Sequence, residues 1–179
     1  MTVLVPSDAT STRWATKYAV DTYGPMYLRL SRDVYPDLYD ENTKFECGKG
    51  AIVRDGTDVT VIACGILVHK ALEAAEQMAA RGVSVRVVDM YSIKPIDREL
   101  ILRCAQETGA IVTAENHNVT CGLGSAVAGC LARNHPTVQE FVGVQDTFGQ
   151  VGPQSFLMDE YGLRAANIVS AVKKAIARK

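Results

Sequence analysis

The chain has 179 residues, of which 22% are charged and 47% hydrophobic, a composition that excludes disorder, collagen and long coiled coils. Nineteen Lys and Arg against twenty Asp and Glu leave a formal charge of -1, so no overall positive field attracts nucleic acid or anionic membranes. A folded chain of this length buries roughly 70% of the surface that its unfolded form exposes. We therefore expect a hydrophobic core that is stable without disulfides or bound metals.

Short β-branched runs alternate with helical patterns along the whole chain, and Gly, Pro, Asp or Asn separates them. This alternation is typical of βαβ units and predicts an α/β fold, in which a mostly parallel sheet lies between two layers of helices. Several runs are continuously apolar, as in strands that helices cover on both faces. The predicted strands are 2–5, 26–30, 51–53, 59–64, 84–89, 111–115 and 138–142.

Helix signals lie between these runs. Leu, Ala and Met recur at helical spacing over 67–78, and Gly82 is placed as the C-terminal stop of that helix. Asp97 is predicted to cap a helix that ends near Gly109. A last helix turns Ile168 and the apolar positions after it inward, and its Lys- and Arg-rich end suits the negative pole of the helix dipole.

One segment interrupts the alternation. Between Arg29 and Lys49 the sequence is polar, carries Pro36 and has neither a strand period nor a helix period, which predicts a linker. The strand, helix (about 10–22) and strand before it are too few to cover a sheet on both faces. The residues after it are enough for a complete domain. We therefore expect the chain to begin partway through a larger architecture.

Targeting signals and metal motifs are not visible. The N-terminus lacks a basic region followed by an apolar stretch, and no run approaches about 18 apolar residues. The five cysteines are irregularly spaced and form no CxxC pair, so we expect reduced core residues in a cytoplasmic protein, neither exported nor embedded in a membrane. The three histidines lie too far apart for a local zinc motif, and no metal site is predicted.

A glycine loop is the first candidate for ligand binding. Gly122 and Gly124 follow the strand 111–115 and open a helix, so backbone amides there can meet a phosphate at the positive end of the helix dipole. Val127 stands where a dinucleotide fingerprint has its third glycine. The alternative explanation is that the two glycines let the helix approach the sheet closely.

Polar side chains at strand ends are the other candidates. His117 lies in the cluster Glu-Asn-His-Asn after a strand and can serve as a general acid or base, or as a hydrogen-bonded turn or interface residue. Arg29 and Arg32 flank the end of the second strand, where a guanidinium fork suits a phosphate or carboxylate. A solvated salt bridge is the alternative for the arginines. No Ser or Cys stands beside His117 in the sequence, so a hydrolase triad has no local support.

Four blocks resemble the carboxyl-terminal domain of transketolase, in the same order and with similar spacing. They are VVDMYSIKPID (87–97), TAENHNVTCGLGSAVA (113–128), QDTFGQVG (145–152) and DEYGLRAANIVSAVKKAI (159–176). The earlier stretches VLVPSDATSTRWA and GPMYLRLSR look like the last strand, helix and strand of the pyrimidine-binding domain that precedes it in the family. The likeness extends to the short carboxyl-terminal polypeptides of split, two-subunit transketolases.

The resemblance implies three parts: the tail of a pyrimidine-binding domain (1–32), a linker (33–48) and a transketolase carboxyl-terminal domain (49–179). It also implies transfer of a two-carbon ketol unit between sugar phosphates of the pentose phosphate pathway, with thiamine diphosphate and Mg²⁺ as cofactors. By similarity, Arg32 matches the family arginine that holds the substrate phosphate, with Arg29 as the other candidate. His117 and the glycine loop then become structural or interface elements, and no catalytic residue is expected in this chain.

Parts of the family's reaction centre are missing from the sequence. The GDG motif that binds diphosphate and Mg²⁺ does not occur, the activating glutamate would precede Met1, and Val151 stands where relatives usually have a serine-glycine pair. We therefore expect the chain alone to be inactive and to bind no cofactor. Its expected partners are the N-terminal transketolase domains or subunit, within a homodimer that binds sugar phosphate.

Several alternatives remain open at this point. The related families are 1-deoxy-D-xylulose-5-phosphate synthase and the β subunit of 2-oxoacid dehydrogenases, although the phrase IKPID and the His-Asn pair before the glycine loop favour transketolase. From other functional classes, the sequence is also compatible with a stand-alone module that binds a nucleotide or metabolite, and with a purely structural dimerisation domain.

Overall fold

A computed structural model describes residues Met1–Lys179 and contains eight strands and six helices. The strands are β1 (Thr2–Leu4), β2 (Met26–Leu28), β3 (Ala51–Arg54), β4 (Val59–Ala63), β5 (Val85–Asp89), β6 (Ser92–Lys94), β7 (Ala110–Asn118) and β8 (Val138–Val144). The helices are α1 (Ala9–Asp21), α2 (Leu67–Ala79), α3 (Arg98–Thr108), α4 (Leu123–Asn134), α5 (Gln154–Glu160) and α6 (Ala165–Ala177). None of the helices has the length and apolar content of a membrane-spanning segment.

The main sheet has five strands in the order β3-β5-β4-β7-β8. Its last four strands are parallel, and β3 joins the edge antiparallel to β5. Every residue of the central strand β4 is buried, because helices cover both faces, as its unbroken apolar run indicates. These features confirm the predicted α/β fold, with a mostly parallel sheet between two helical layers.

The side chains of β4 point alternately to the two faces of the sheet and pack into two separate cores. Val59 and Val61 pack into the larger core with α2 and α6, whereas Ile62 points to the opposite face and packs with α3 and α4. Burial of each such aliphatic side chain stabilises the fold by about 1.5–3 kcal/mol. The sheet is therefore fixed from both sides, and its carboxyl edge is a rigid support for the loops that follow the strands.

The boundaries of α3 agree with the sequence signals. The Asp97 carboxylate accepts a hydrogen bond from the Leu100 amide at 3.0 Å, which caps the helix. Gly109 ends the helix with a φ of 67°, in the left-handed region that glycine adopts without strain. Two short elements, β6 and α5, were not among the predicted ones.

A second sheet of three strands, β2-β1-β6, joins the N-terminal segment to the main domain. Strand β1 is parallel to β2 and antiparallel to β6, which belongs to the main domain. The Val5 amide extends this pairing by donating to the Tyr91 carbonyl at 2.8 Å. Leu4 is fully buried as a result. The first strand, helix and strand therefore pack on the main domain through a shared sheet.

The segment between β2 and β3 has no helix or strand, but other elements hold it in place. Tyr35 stacks on His69 of α2, with their ring centroids 5.2 Å apart. Farther along, Phe45 packs against Trp14 of α1 and Tyr91 beyond β5, at centroid distances of 5.4 and 5.3 Å. The segment predicted as a linker thus follows a defined path along α2 and α1.

Candidate functional site

Two neighbouring grooves, each of about 430 Å³, lie where the parallel strands end. We call them the α1 groove and the α5 groove after the helices that border them. Both include the segment Leu30–Asp33 and Ile66, so this short segment separates them. The α1 groove adds Pro6, Ser7, Asp8, Ala9, Thr12, Arg13, Val34 and Tyr35. The α5 groove adds Asn116, Gly152, Gln154 and Leu157.

Arg32 lies at the boundary between the two grooves and lines both of them. Its side chain is exposed and forms no ion pair with any carboxylate of the chain. The turn that presents it is closed by Ser31, whose hydroxyl oxygen accepts a hydrogen bond from the Asp33 amide at 3.3 Å. All five N–H donors of the guanidinium therefore remain available to a ligand.

Arg29, the other arginine candidate, has a different environment. Its Nη2 donates to the Asn116 carbonyl at 2.8 Å, and its own amide donates to the Leu4 carbonyl at 2.9 Å. The Nε is buried and has no partner. The side chain connects the end of β2 to the end of β7, and it belongs to the lining of neither groove. Its position favours a structural role.

The glycine loop already contains an anion that belongs to the chain. Glu115, only 2% exposed, accepts hydrogen bonds from the amides of Leu123 at 2.7 Å and Gly124 at 2.8 Å. Burial raises the pKa of this carboxyl, and the two amide hydrogen bonds oppose that rise. The carboxylate thus takes the place at the N-terminus of α4 where a phosphate would otherwise bind.

Both candidate glycines make room for close contacts. A Cβ atom at Gly122 would lie 2.0 Å from Glu115 Oε2, and one at Gly124 would lie 2.6 Å from a ring carbon of Phe141 in β8. The first glycine therefore admits the buried carboxylate, and the second lets α4 approach the sheet. These contacts support the close-packing explanation of the loop over the nucleotide-binding one.

His117 lies apart from the two grooves, on the exposed side of the β7 end. Its Nδ1 is 2.9 Å from the Asn118 carbonyl oxygen and 3.9 Å from Glu115 Oε2. The imidazole is close enough to the buried carboxylate to interact with it electrostatically, and 44% of its side chain is exposed. Its surroundings are those of a partly exposed residue near the end of a strand.

Two buried aspartates hold the α1 groove together, and neither was among the candidates from sequence. Asp8 caps α1 by accepting hydrogen bonds from the amide and hydroxyl of Ser11 at 2.7 and 2.6 Å. Its other oxygen accepts from the amides of Leu38 and Tyr39 at 2.9 and 3.0 Å. One carboxylate thus anchors both the start of a helix and a loop thirty residues away. The Asp-x-x-Ser spacing is a capping signal that was present in the sequence.

Asp89 is the second of these carboxylates and is fully buried at the end of β5. Its Oδ2 accepts hydrogen bonds from the Ser7 hydroxyl and, at 2.9 Å, from the Tyr39 hydroxyl, whereas Oδ1 has no partner. Burial raises the pKa of this carboxyl to about 7, although the two hydroxyl donors favour the charged form. Asp8 and Asp89, with Ser7 and Tyr39, are hereafter called the aspartate clamp.

Replacing Gly122 with alanine tests the close packing at Glu115. The new methyl group would displace a carboxylate that holds two amides, so we expect Gly122→Ala to lower the free energy of unfolding by at least about 2 kcal/mol. Gly129→Ala, inside α4, is the control, because a Cβ there meets nothing within 4 Å. The control should stabilise the chain by up to about 1 kcal/mol. Urea unfolding measures both, and equal stability of the two variants would contradict the packing.

The aspartate clamp predicts a specific pH dependence of stability. Because the folded-state pKa of Asp89 is raised to about 7 from an ordinary 3.8, the unfolded chain loses this proton first as the pH rises. The contribution of Asp89 to the free energy of unfolding therefore falls between pH about 4 and 7 and is level above that. Asp89→Asn should remove this fall and be more stable than the native chain at pH 8 by about 1 kcal/mol or more.

Urea unfolding at several pH values between 5 and 8 measures the difference between Asp89→Asn and the native chain, in which the contributions of groups that do not interact with Asp89 cancel. Asp37→Asn, at an exposed position of the segment that carries Tyr39, is the control and should follow the native curve. Parallel curves for Asp89→Asn and the native chain would show that Asp89 does not titrate in this range.

Comparisons with known proteins agree with the resemblance seen in the sequence. The profile of the family described as "Transketolase, C-terminal domain" matches residues 48–168. The chain is 44% identical to the 6-deoxy-6-sulfo-D-fructose transketolase subunit SqwH of Clostridium sp. (strain MSTE9), over 100% of the chain and 56% of that protein. It is 38% identical to an apulose-4-phosphate transketolase subunit of Phocaeicola vulgatus, over 91% of the chain and 52% of that protein.

A solved structure described as "Split gene transketolase, inactive beta4 tetramer" superimposes with a TM-score of 0.93 at 47% identity. The match covers 99% of the chain and 57% of that structure. The chain thus spans about half the length of the split transketolase subunits that it matches. With the family profile matched over most of its residues, the chain belongs to the transketolase C-terminal domain family.

Proposed function

We propose that this chain is the carboxyl-terminal portion of a transketolase, which moves a two-carbon ketol unit from a ketose to an aldose acceptor. In this reaction the C2–C3 bond of the ketose breaks, and the two-carbon unit joins the aldehyde carbon of the acceptor. The observation that carries the proposal is the similarity to a split transketolase over 99% of the chain. Pentose phosphates are the first substrates to test.

The chain's own residues do not fit the diphosphate of thiamine diphosphate. The helix N-terminus behind the glycine loop holds the Glu115 carboxylate, and the N-terminus of α1 holds Asp8. A diphosphate would have to displace a buried carboxylate at either place, against strong repulsion. This supports the proposal that the family's cofactor and its Mg²⁺ bind to other parts of the complete enzyme, and that the isolated chain is inactive.

The proposed partner is therefore the N-terminal part of a transketolase, as domains of the same chain or as a separate subunit. We assign residues 1–32 to the pyrimidine-binding domain, 33–48 to the connection and 49–179 to the carboxyl-terminal domain. Strand β2 pairs only with β1 and leaves its outer edge open, which supports continuation of this sheet by further strands. We also propose a homodimer and a cytoplasmic location, the latter supported by five unpaired cysteines.

Within this function we assign Arg32 to the terminal anion of the sugar. The guanidinium is exposed between the two grooves and has no acidic partner, so it can donate two parallel hydrogen bonds to one oxyanion. The names of two relatives specify a sulfonated and a phosphorylated sugar. Both end in a tetrahedral oxyanion, and we propose that the substrate of this enzyme does too.

A second candidate is supported by a specific similarity. The chain is 39% identical to 1-deoxy-D-xylulose-5-phosphate synthase 1 of Geobacter sulfurreducens, over 100% of the chain and 29% of that protein. A synthase would join pyruvate to an aldose phosphate with loss of CO₂. The two functions are therefore distinguished by the donor, which is a ketose in one case and pyruvate in the other.

The test compares the isolated chain with the complete enzyme, in which its full-length subunit is combined with the N-terminal partner, thiamine diphosphate and Mg²⁺. With xylulose 5-phosphate and ribose 5-phosphate we expect product from the complete enzyme and none from the chain. Arg32→Gln should raise KM for the phosphorylated donor by about tenfold or more, because a charged hydrogen-bond donor is lost. Arg81→Gln is the control, since this exposed arginine lies past the end of α2, away from both grooves.

Turnover by the isolated chain would contradict the proposal that the reaction centre lies elsewhere. Release of CO₂ from pyruvate by the complete enzyme, without ketol transfer from xylulose 5-phosphate, would establish the synthase instead.

A further inference from the structure

We propose that Arg13 is a second arm of the oxyanion site and binds, together with Arg32, the terminal phosphate or sulfonate of the sugar. This inference rests on the proposed function and deepens it, because it names the groove and the residue that select an anionic sugar.

The two arginines reach the α1 groove from different elements. Arg13 projects from the second turn of α1, and Arg32 lies on the segment after β2. Strands β1 and β2 are paired in parallel, from Thr2 opposite Met26 to Leu4 opposite Leu28. This pairing brings the start of α1 and the segment after β2 to the same end of the sheet. The groove between them has a volume of about 430 Å³, which is large enough for a sugar-sized molecule.

Neither guanidinium is neutralised by the chain. Arg13 is exposed and donates one hydrogen bond, from Nη2 to the Thr10 hydroxyl at 3.2 Å, and it forms no ion pair. By contrast, Arg86 and Arg164 each pair with aspartate at 2.9 and 2.7 Å. Thr10 lies in a neighbouring groove that Arg13 and Glu41 also line, so Arg13 stands between this groove and the α1 groove, and its other donors are free.

No carboxylate of the α1 groove forms an ion pair with Arg13 or Arg32. Asp8 is 6% exposed, and its two oxygens accept four hydrogen bonds, which compensate its charge within the chain. Asp33 is exposed next to Arg32 but is not within ion-pair distance of either arginine. The aspartate clamp thus fixes the groove wall, while two unpaired cations remain on its surface.

Two guanidinium groups match the chemistry of a terminal tetrahedral oxyanion. Such a group offers three oxygens, and a single planar fork can satisfy two of them. A second fork from another direction adds charge and fixes the orientation of the sugar chain. Phosphate esters and sulfonates share this geometry, so the site would favour sugars that end in either group over neutral sugars.

The experiment uses the complete enzyme with three donors that differ only at carbon 6: fructose 6-phosphate, 6-deoxy-6-sulfofructose and fructose. An uncharged aldehyde serves as acceptor, so that only the donor carries an anion. Arg13→Gln, Arg13→Lys and Arg32→Gln are compared with the native enzyme and with the control Arg81→Gln. The rate constants kcat and kcat/KM are measured for each donor, and circular dichroism verifies that every variant is folded.

We expect Arg13→Gln to raise KM for at least one charged donor by about tenfold or more, with kcat nearly unchanged. The value of kcat/KM for fructose should stay within about twofold of native, because that donor has no anion to lose. The KM of Arg13→Lys for the charged donor should lie between those of the native enzyme and Arg13→Gln, since lysine keeps the charge but lacks the planar guanidinium. The charged donor that loses affinity identifies phosphate or sulfonate as the bound group.

Unchanged KM for both charged donors in Arg13→Gln, with native turnover intact, would overturn this inference and leave the proposed function standing. An equal loss for fructose and for the charged donors would also overturn it, because it would show a structural effect. A native enzyme that transfers ketol units from none of the donors that it is offered, xylulose 5-phosphate included, would overturn the proposed function and this inference together.

Discussion

Two buried carboxylates determine how the N-terminal segment, the loop after it and the main sheet are arranged. Asp8 joins the first turn of α1 to the amides of Leu38 and Tyr39. Asp89, at the end of β5, receives hydroxyl groups from Ser7 and Tyr39. Burial of a carboxylate is costly unless donors compensate for lost water. The four donors on Asp8 meet that requirement, whereas Asp89 keeps an oxygen without a partner, and its pKa is raised to about 7.

The same principle explains why the grooves, and not the glycine loop, are the candidate site. Helix N-termini attract anions, and this chain supplies its own to α1, α3 and α4 through Asp8, Asp97 and Glu115. The cations Arg13 and Arg32 have no such internal partner. A ligand that carries an anion can therefore pair with an uncompensated arginine in the α1 groove. In a transketolase that ligand is an anionic sugar, which agrees with the function that we propose.

Local signals in the sequence predicted much of the fold but little of the site. All seven expected strands and the boundaries of α3 were recovered, because burial on two faces and helix caps depend on neighbouring residues. Strand β6 has only three residues and exists because β1 pairs with it. The aspartate clamp was missed because Ser7 and Asp89 are 82 positions apart, and no short-range pattern distinguishes a buried aspartate at a strand end from an exposed one. The path of the segment predicted as a linker also depends on residues far away in the sequence, such as Asp8 for Leu38 and Tyr39, so local patterns did not predict it.

Hydrogen exchange at the amides of Leu38 and Tyr39 tests the central claim most directly, because both amides donate to Asp8 in a segment without helix or strand. In the full-length subunit we predict exchange slowed by about a hundredfold or more relative to an unstructured peptide, which corresponds to an opening free energy of about 2.7 kcal/mol. In Asp8→Ala this protection should disappear, while the amides of β4 keep theirs. Unprotected exchange at Leu38 and Tyr39 in the native subunit would contradict the claim that buried carboxylates fix this part of the structure.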